Sequence, residues 1–120
     1  MEFEQGSINI SDDVLKEIAF RSFLEVLEIT PDDKESKRLK KSVEIERTPE
    51  DGVIVYVKTS APYGKSIVEF GRKIMKNISE NIQRMTELQV VAVNVTITDV
   101  TETFEELNKE AEETEGEEGQ

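Results

Sequence analysis

An α+β domain built on a single sheet is the fold class that this sequence predicts, and three stretches predict it. In the first, Val53, Val55 and Val57 alternate with Ile54, Tyr56 and Lys58, a period of two rich in β-branched residues. In the second, Ile67, Phe70, Ile74, Ile78, Ile82, Met85 and Leu88 recur at three- or four-residue spacing, which marks an amphipathic helix. In the third, Val91, Val93, Val95 and Ile97 share one strand face while Asn94, Thr96 and Thr98 occupy the other. A strand–helix–strand unit of this kind normally joins parallel strands through a right-handed crossover, with the helix laid on the sheet.

The remaining elements follow in order. Residues 1–6 are read as a flexible start. Ile8 and Ile10 flank Asn9 and suggest a short first strand. Ser11 is a good N-cap, and Asp12 and Asp13 place negative charge in the first turn, where the helix dipole favours it. The helix runs by pattern from Val14 to Ile29 and ends before Pro31. Its apolar arc is wide: Val14, Leu15, Ile18, Ala19, Val26 and Ile29 form one stripe, and Phe20, Phe23, Leu24 and Leu27 extend it around the side. One sheet covers roughly a 100° stripe, so a second cover is expected. Residues 102–111 and a second subunit are both available for it. The outer residues Phe20, Phe23, Leu24 and Leu27 are therefore a candidate interaction surface.

Residues 30–42 break the pattern. Lys34, Lys37, Arg38, Lys40 and Lys41 stand against a single Glu35 over 34–41. A solvated connector accounts for such a run. The functional alternative is a loop that meets phosphate, an acidic lipid surface, an acidic protein or the chain's own acidic end. Next, Val43 and Ile45 alternate with Glu44 and Glu46, and Thr48-Pro49-Glu50-Asp51-Gly52 turns the chain into the valine strand. Pro49 presets φ there, and Gly52 is read as the residue that accepts a positive one. The whole pattern is β-α-β-β-α-β, or αββαβ without the first strand. Both helices lie on one face of the sheet, with the Glu44/Glu46 and Asn94/Thr96/Thr98 faces wetter.

Composition sets limits on function. The chain of 120 residues is 36% apolar and 35% charged, with a formal net charge of −12. One domain, 7–101, suits that length. Without cysteine or histidine, disulfides, thiolate chemistry and the commonest general base and metal ligand are out of reach. No catalytic, metal or cofactor residues are assigned. No apolar run approaches a membrane span, and the start lacks the basic stretch of a secretory signal, so a cytoplasmic protein is expected. Residues 102–120 hold nine glutamates and one lysine. Phe104, Leu107 and Ala111 suggest a short C-terminal helix before a disordered acidic tail. That tail is read as a solvating extension or as a self-masking or partner-binding arm.

Residues 59–66, Thr-Ser-Ala-Pro-Tyr-Gly-Lys-Ser, nearly match the phosphate-binding G-x-x-x-x-G-K-[ST] loop. The match fails because Thr59 replaces the first glycine and Pro62 removes an N–H that such a loop aims at phosphate. A turn feeding a helix capped at Ser66, with Glu69 completing a capping box, explains the stretch better.

A family resemblance enters at these residues. Ile8-Asn9-Ile10-Ser11 before the first helix, the valine hairpin, Tyr63-Gly64 before the long helix, and the closing strand over 90–100 together resemble the bacterial alkaline shock protein family, also called the envelope stress response family. The likeness covers about residues 7–101. It departs at 30–41, where the family's Gly-rich segment gives way to charge, and in the acidic tail. The resemblance implies a small α+β domain without known catalysis and without a cofactor. It further implies an interaction or scaffold module of the envelope stress response, which self-associates or docks on a membrane-anchored protein partner and so sits at the periphery of the membrane. The alternative is a nucleic-acid-binding α+β domain. Against it stand the missing G-x-x-G loop, the single strand aromatic Tyr56 and the acidic balance.

Overall fold

A computed structural model describes residues 6–31 and 34–102. Helix α1 (Asp12–Leu27) is followed by the short helix α2 (Lys34–Leu39) and a 3-10 turn (Lys40–Ser42). Then come β1 (Val43–Arg47), β2 (Val53–Pro62), the long helix α3 (Ile67–Thr86) and β3 (Val90–Thr101). The sheet has the order β1-β2-β3, with β1 antiparallel and β3 parallel to β2. This is the αββαβ arrangement. The expected first strand does not form. Ser7 to Ser11 is irregular, and Ile8 is 90% exposed. The Ile10 carbonyl instead accepts a bond from Nη1 of Arg47 at 3.3 Å, so a side chain takes the place of a ladder partner.

Both helix starts follow from their caps. Ser11 Oγ accepts the Val14 N–H at 3.3 Å and Ser66 Oγ accepts the Glu69 N–H at 3.1 Å. Each helix ends on a glutamate in the left-handed region, Glu28 at φ 62° and Glu87 at φ 61°. The turn at Glu28 is closed by the Ile29 N–H on the Leu24 carbonyl at 3.1 Å, which satisfies a carbonyl that the helix itself leaves open. Residues 34–42, expected as an irregular connector, wind into α2 and the 3-10 turn. Ser36, buried in α2, ties that helix back to the chain before it, its hydroxyl donating to the Pro31 carbonyl at 2.7 Å.

The expected hairpin forms, and its register sets Val43 opposite Val57 and Arg47 opposite Val53. Its turn works differently. The positive φ belongs to Asp51, at 68°, and Gly52 is needed for space instead. A Cβ at Gly52 would stand 2.7 Å from Cγ2 of Val91 and 3.0 Å from Oγ1 of Thr48. Gly64, by contrast, has φ 91° where β2 turns towards α3, the conformation that glycine adopts without strain.

The sheet is covered on one face. Val43, Val53, Val55, Val57 and Val93 are buried together with Leu15, Ala19, Phe23 and Leu24 of α1 and Ile74, Ile78 and Ile82 of α3. On the other face Glu44, Tyr56 and Asn94 lie side by side in register and are exposed, so both α1 and α3 pack on the valine side. The third strand departs from strict alternation. Val53 pairs with Val90 but Ile54 with Ala92, which leaves Val91 as an extra residue, 53% exposed and off the face shared by Val93 and Val95. A second shift inserts Thr98 between the partners of Thr59 and Ser60.

A polar joint sets the two long helices against each other. The Ser22 hydroxyl donates to the Ile18 carbonyl at 2.7 Å and accepts from Asn81 Nδ2 at 2.8 Å. Asn77 Nδ2 donates to the Ser22 carbonyl and to Glu25 Oε1, both at 2.8 Å. Ser22 is buried and satisfied, so the contact fixes the helix register at little desolvation cost. The short C-terminal helix and acidic tail expected over 102–120 lie, apart from Glu102, outside the described residues.

Candidate interaction surface

The aromatic stripe that the sequence offered as a surface is interior in this chain. Phe20 is 4% exposed, and Phe23, Leu24 and Leu27 are equally covered. The second cover that α1 required comes in part from the chain's own residues 34–42. Leu39 packs against the core, and Nζ of Lys40 stands over the Phe20 ring, 5.9 Å from its centre. On the opposite flank α3 contributes Ile78 and Ile82. Periodicity reported the width of the arc correctly and was silent on which neighbour would fill it.

The basic residues divide into two roles. Lys40 is a clamp: its Nζ bonds Glu17 Oε1 at 2.9 Å, and Glu17 Oε2 accepts from Arg21 Nε at 2.6 Å. These bonds, from Lys40 first and Arg21 second, hold the Glu17 carboxyl below the ordinary carboxylate value, against a smaller opposing effect of burial. Lys34, Lys37, Arg38 and Lys41 are exposed along the same segment. Tyr63 and Gly64 occupy the bend after β2. The Tyr63 ring projects into solvent, while its N–H donates to the Thr101 carbonyl at 2.6 Å and so holds the ends of β2 and β3 together. The near-match to a phosphate loop is dismantled by the backbone, since β2 runs through Pro62 and only 63–66 connect it to α3.

Two surfaces emerge that sequence reading did not foresee. The first is the outer edge of β3. This strand pairs with β2 alone among the described residues, and 92–97 is regular, β-branched at four of its six positions and without charge. Edges are ordinarily blunted by Lys, Pro or bulges, and here the bulges stand only at the two ends. The second is an outward stripe on α3, where Val68, Arg72, Met75 and Lys76 are exposed. Beside it a shallow cleft of about 340 Å³ is lined by Arg72, Met75, Lys76, Ser79 and Val90 to Val93. The α3 positions repeat at three and four residues, but nothing in that spacing tells a solvent-facing stripe from one that meets a partner.

The bare sheet face is a poor platform for bases. Tyr56, its single aromatic, donates its hydroxyl to Glu46 Oε1 at 2.7 Å, and Glu44 lies beside it in register. Those carboxylates would repel a phosphate backbone. The hydrogen bond to Glu46 raises the Tyr56 pKa, with burial a smaller cause and the Glu46 charge the least. Among the described residues there is no cluster of three or more acidic side chains able to hold a metal ion. No helix among them is long and apolar enough to cross a membrane.

A family model described by a cell envelope-related function matches residues 1–102 of this chain. No curated protein and no solved structure matches it.

Proposed function

This chain belongs to the alkaline shock protein family, whose described function relates to the cell envelope, and on that premise we propose that it is a non-enzymatic docking module of the envelope stress response. The family is not known as a family of enzymes. The module sits in the cytoplasm, without a span of its own among the described residues, and is held at the membrane by a membrane-anchored protein that it binds.

The observation that carries this reading is the open, uncharged edge of β3 over 92–97. Its unpaired N–H and C=O groups offer a partner strand a ready ladder, with main-chain hydrogen bonds for affinity and neighbouring side chains for selection. The exposed Lys34, Lys37, Arg38 and Lys41 add favourable charge towards an anionic membrane surface, worth about 1 kcal/mol for each residue close to it at most.

Recovery of the full chain on native envelope membranes, compared with vesicles made from the same lipids without protein, tests the proposal. The expected result is retention on the membranes and not on the vesicles. Retention should be lost in the variant carrying Asn94→Lys and Thr96→Lys, two exposed positions on the edge strand, at an unchanged melting temperature. Equal retention on protein-free vesicles would replace the docking reading with direct lipid binding by 34–41. Retention unaffected by the edge variant would move the docking surface away from β3.

A further inference from the structure

The stripe on α3 asks for an occupant, and the chain itself supplies one. Val68, Arg72, Met75, Lys76 and Ser79 lie on one side of α3 at spacings of three and four residues. Val68 is 60% and Met75 42% exposed, an apolar surface that water covers poorly. Its charges, Arg72 and Lys76, are basic within an acidic protein, and over 65–86 as a whole five basic residues stand against Glu69 and Glu80. Arg72 and Lys73 have no ion-pair or hydrogen-bond partner among the described residues, and Lys76 reaches Glu80 only at 4.0 Å. The stripe begins where the described chain ends. Pro62 pairs with Thr101, and α3 starts at Ile67, so the C-terminal segment departs from Glu102 within the span of the four residues 63–66 from the start of α3.

We propose that residues 104–115 of the same chain lie along this stripe. Phe104 and Leu107 then meet the exposed Ile67, Val68 and Val100 near the point of departure, and Glu110, Glu112, Glu113 and Glu115 run past Arg72 and Lys76 towards the cleft at Met75. The apolar residues Phe104 and Leu107 come early in the one segment as Ile67 and Val68 do in the other, with Glu105 and Glu106 among the former and Glu69 beside the latter. Reach is sufficient. Ser79 stands about 18 Å along the helix from its start at 1.5 Å per residue, and twelve residues of extended chain span about 40 Å. Charge complements as well, since 103–120 carry eight glutamates and one lysine. Lys34, Lys37, Arg38 and Lys41 are also exposed and basic, but no exposed apolar cluster accompanies them among the described residues, and Lys40 is already bound to Glu17. The inference needs no partner and does not depend on the docking reading above. Its consequence is that whatever approaches the β3 edge beside Val91 meets the chain's own acidic segment there.

The protein has no cysteine, so a single nitroxide probe can be attached to the full chain through Thr114→Cys. In the isolated chain the expected result is loss of the amide signals of Arg72, Lys76 and Ser79 through proximity to the probe, with those of Lys34, Lys37 and Lys41 retained. Salt at 1 M, where the screening length falls to about 3 Å, should restore the α3 signals. Phe104→Ser with Leu107→Ser should restore them at low salt. Unperturbed α3 signals at low salt, or loss at 34–41 instead, would overturn the proposal. So would α3 losses that appear undiminished when a probe-bearing copy is mixed with an isotope-labelled copy lacking the probe, because the segment would then belong to a second molecule.

Discussion

The two long helices are used in opposite ways. Helix α1, with sixteen residues, buries eight of them, whereas α3, with twenty, buries only Ile74, Ile78 and Ile82. Helix α1 is walled by the sheet, by α3 and by the segment containing Leu39 and Lys40, and so behaves as the centre of the core. Helix α3 lies across β2 and β3 on a narrow stripe and keeps most of its circumference in water. In a domain with one sheet and one covered face, the helix enclosed on several sides supplies stability. The helix that closes the layer needs only Ile74, Ile78 and Ile82 for that, and the rest of its surface stays open.

The sharpest way to break this comparison is truncation on each helix. Phe23→Ala should destabilise by about 3–5 kcal/mol, because the ring is fully buried and its neighbours are fixed by the sheet. Met75→Ala should cost less than about 0.5 kcal/mol. Chemical denaturation measures both, and similar losses would show that α3 is as much a core element as α1. Solution mass should not change in Phe23→Ala if this stripe is interior and nothing more.

A smaller effect is expected at the bend after β2. Gly64→Val should lower stability by about 1–2 kcal/mol through backbone strain alone, since a side chain there meets open space and only the φ of 91° opposes it. Gly64→Asn, which tolerates such a conformation better, should recover part of the loss in thermal melts. The joint between the helices comes next. Ser22→Ala and Asn81→Ala should each cost about 1 kcal/mol, and a double-mutant cycle should return a coupling of about 0.5–1.5 kcal/mol. Zero coupling would mean that apolar packing alone sets the helix register.

The smallest effect is the pH dependence of the Glu17 clamp. Its folded pKa lies below the unfolded one, so its contribution is complete above the unfolded value and is lost as pH falls through the folded value. More than a third of both the Glu17 and the Lys40 side chain is in water, so the contribution stays below about 1 kcal/mol. Lys40→Ala should flatten that part of the acid stability curve while leaving stability at alkaline pH little changed in slope. An unchanged acid slope would show that Arg21 alone sets the Glu17 titration.

How much of the candidate surface was legible follows from how local its signals are. Lys34, Lys37, Arg38 and Lys41 read as exposed in the sequence and are exposed, because burying a charge is costly in any fold. Phe20, Phe23, Leu24 and Leu27 read as an excess beyond one sheet, and the excess is absorbed by α3 and in part by a segment that looked like a bare connector. A hydrophobic pattern states how much surface must be covered and does not name the cover. The free edge of β3 and the stripe through Arg72 and Met75 left no sequence signal of their own, since edge and centre strands of this composition look alike.

What the sequence determined by itself is the set of short-range facts. Ser11 and Ser66 cap because a hydroxyl at that position reaches an N–H within the same turn. The valine strands and the isoleucine helix follow from periods of two and 3.6, and Gly64 follows from a backbone conformation that β-carbons resist. Only the tertiary structure decided that Ile8 to Ile10 would forgo a strand for the Arg47 guanidinium. The same holds for Gly52 being required by Val91 from another strand, and for one extra residue turning Val91 outward. Each of those outcomes depends on groups that are distant along the chain. Their geometry exists only after the sheet has chosen its neighbours, whereas caps and periods are set within a few residues.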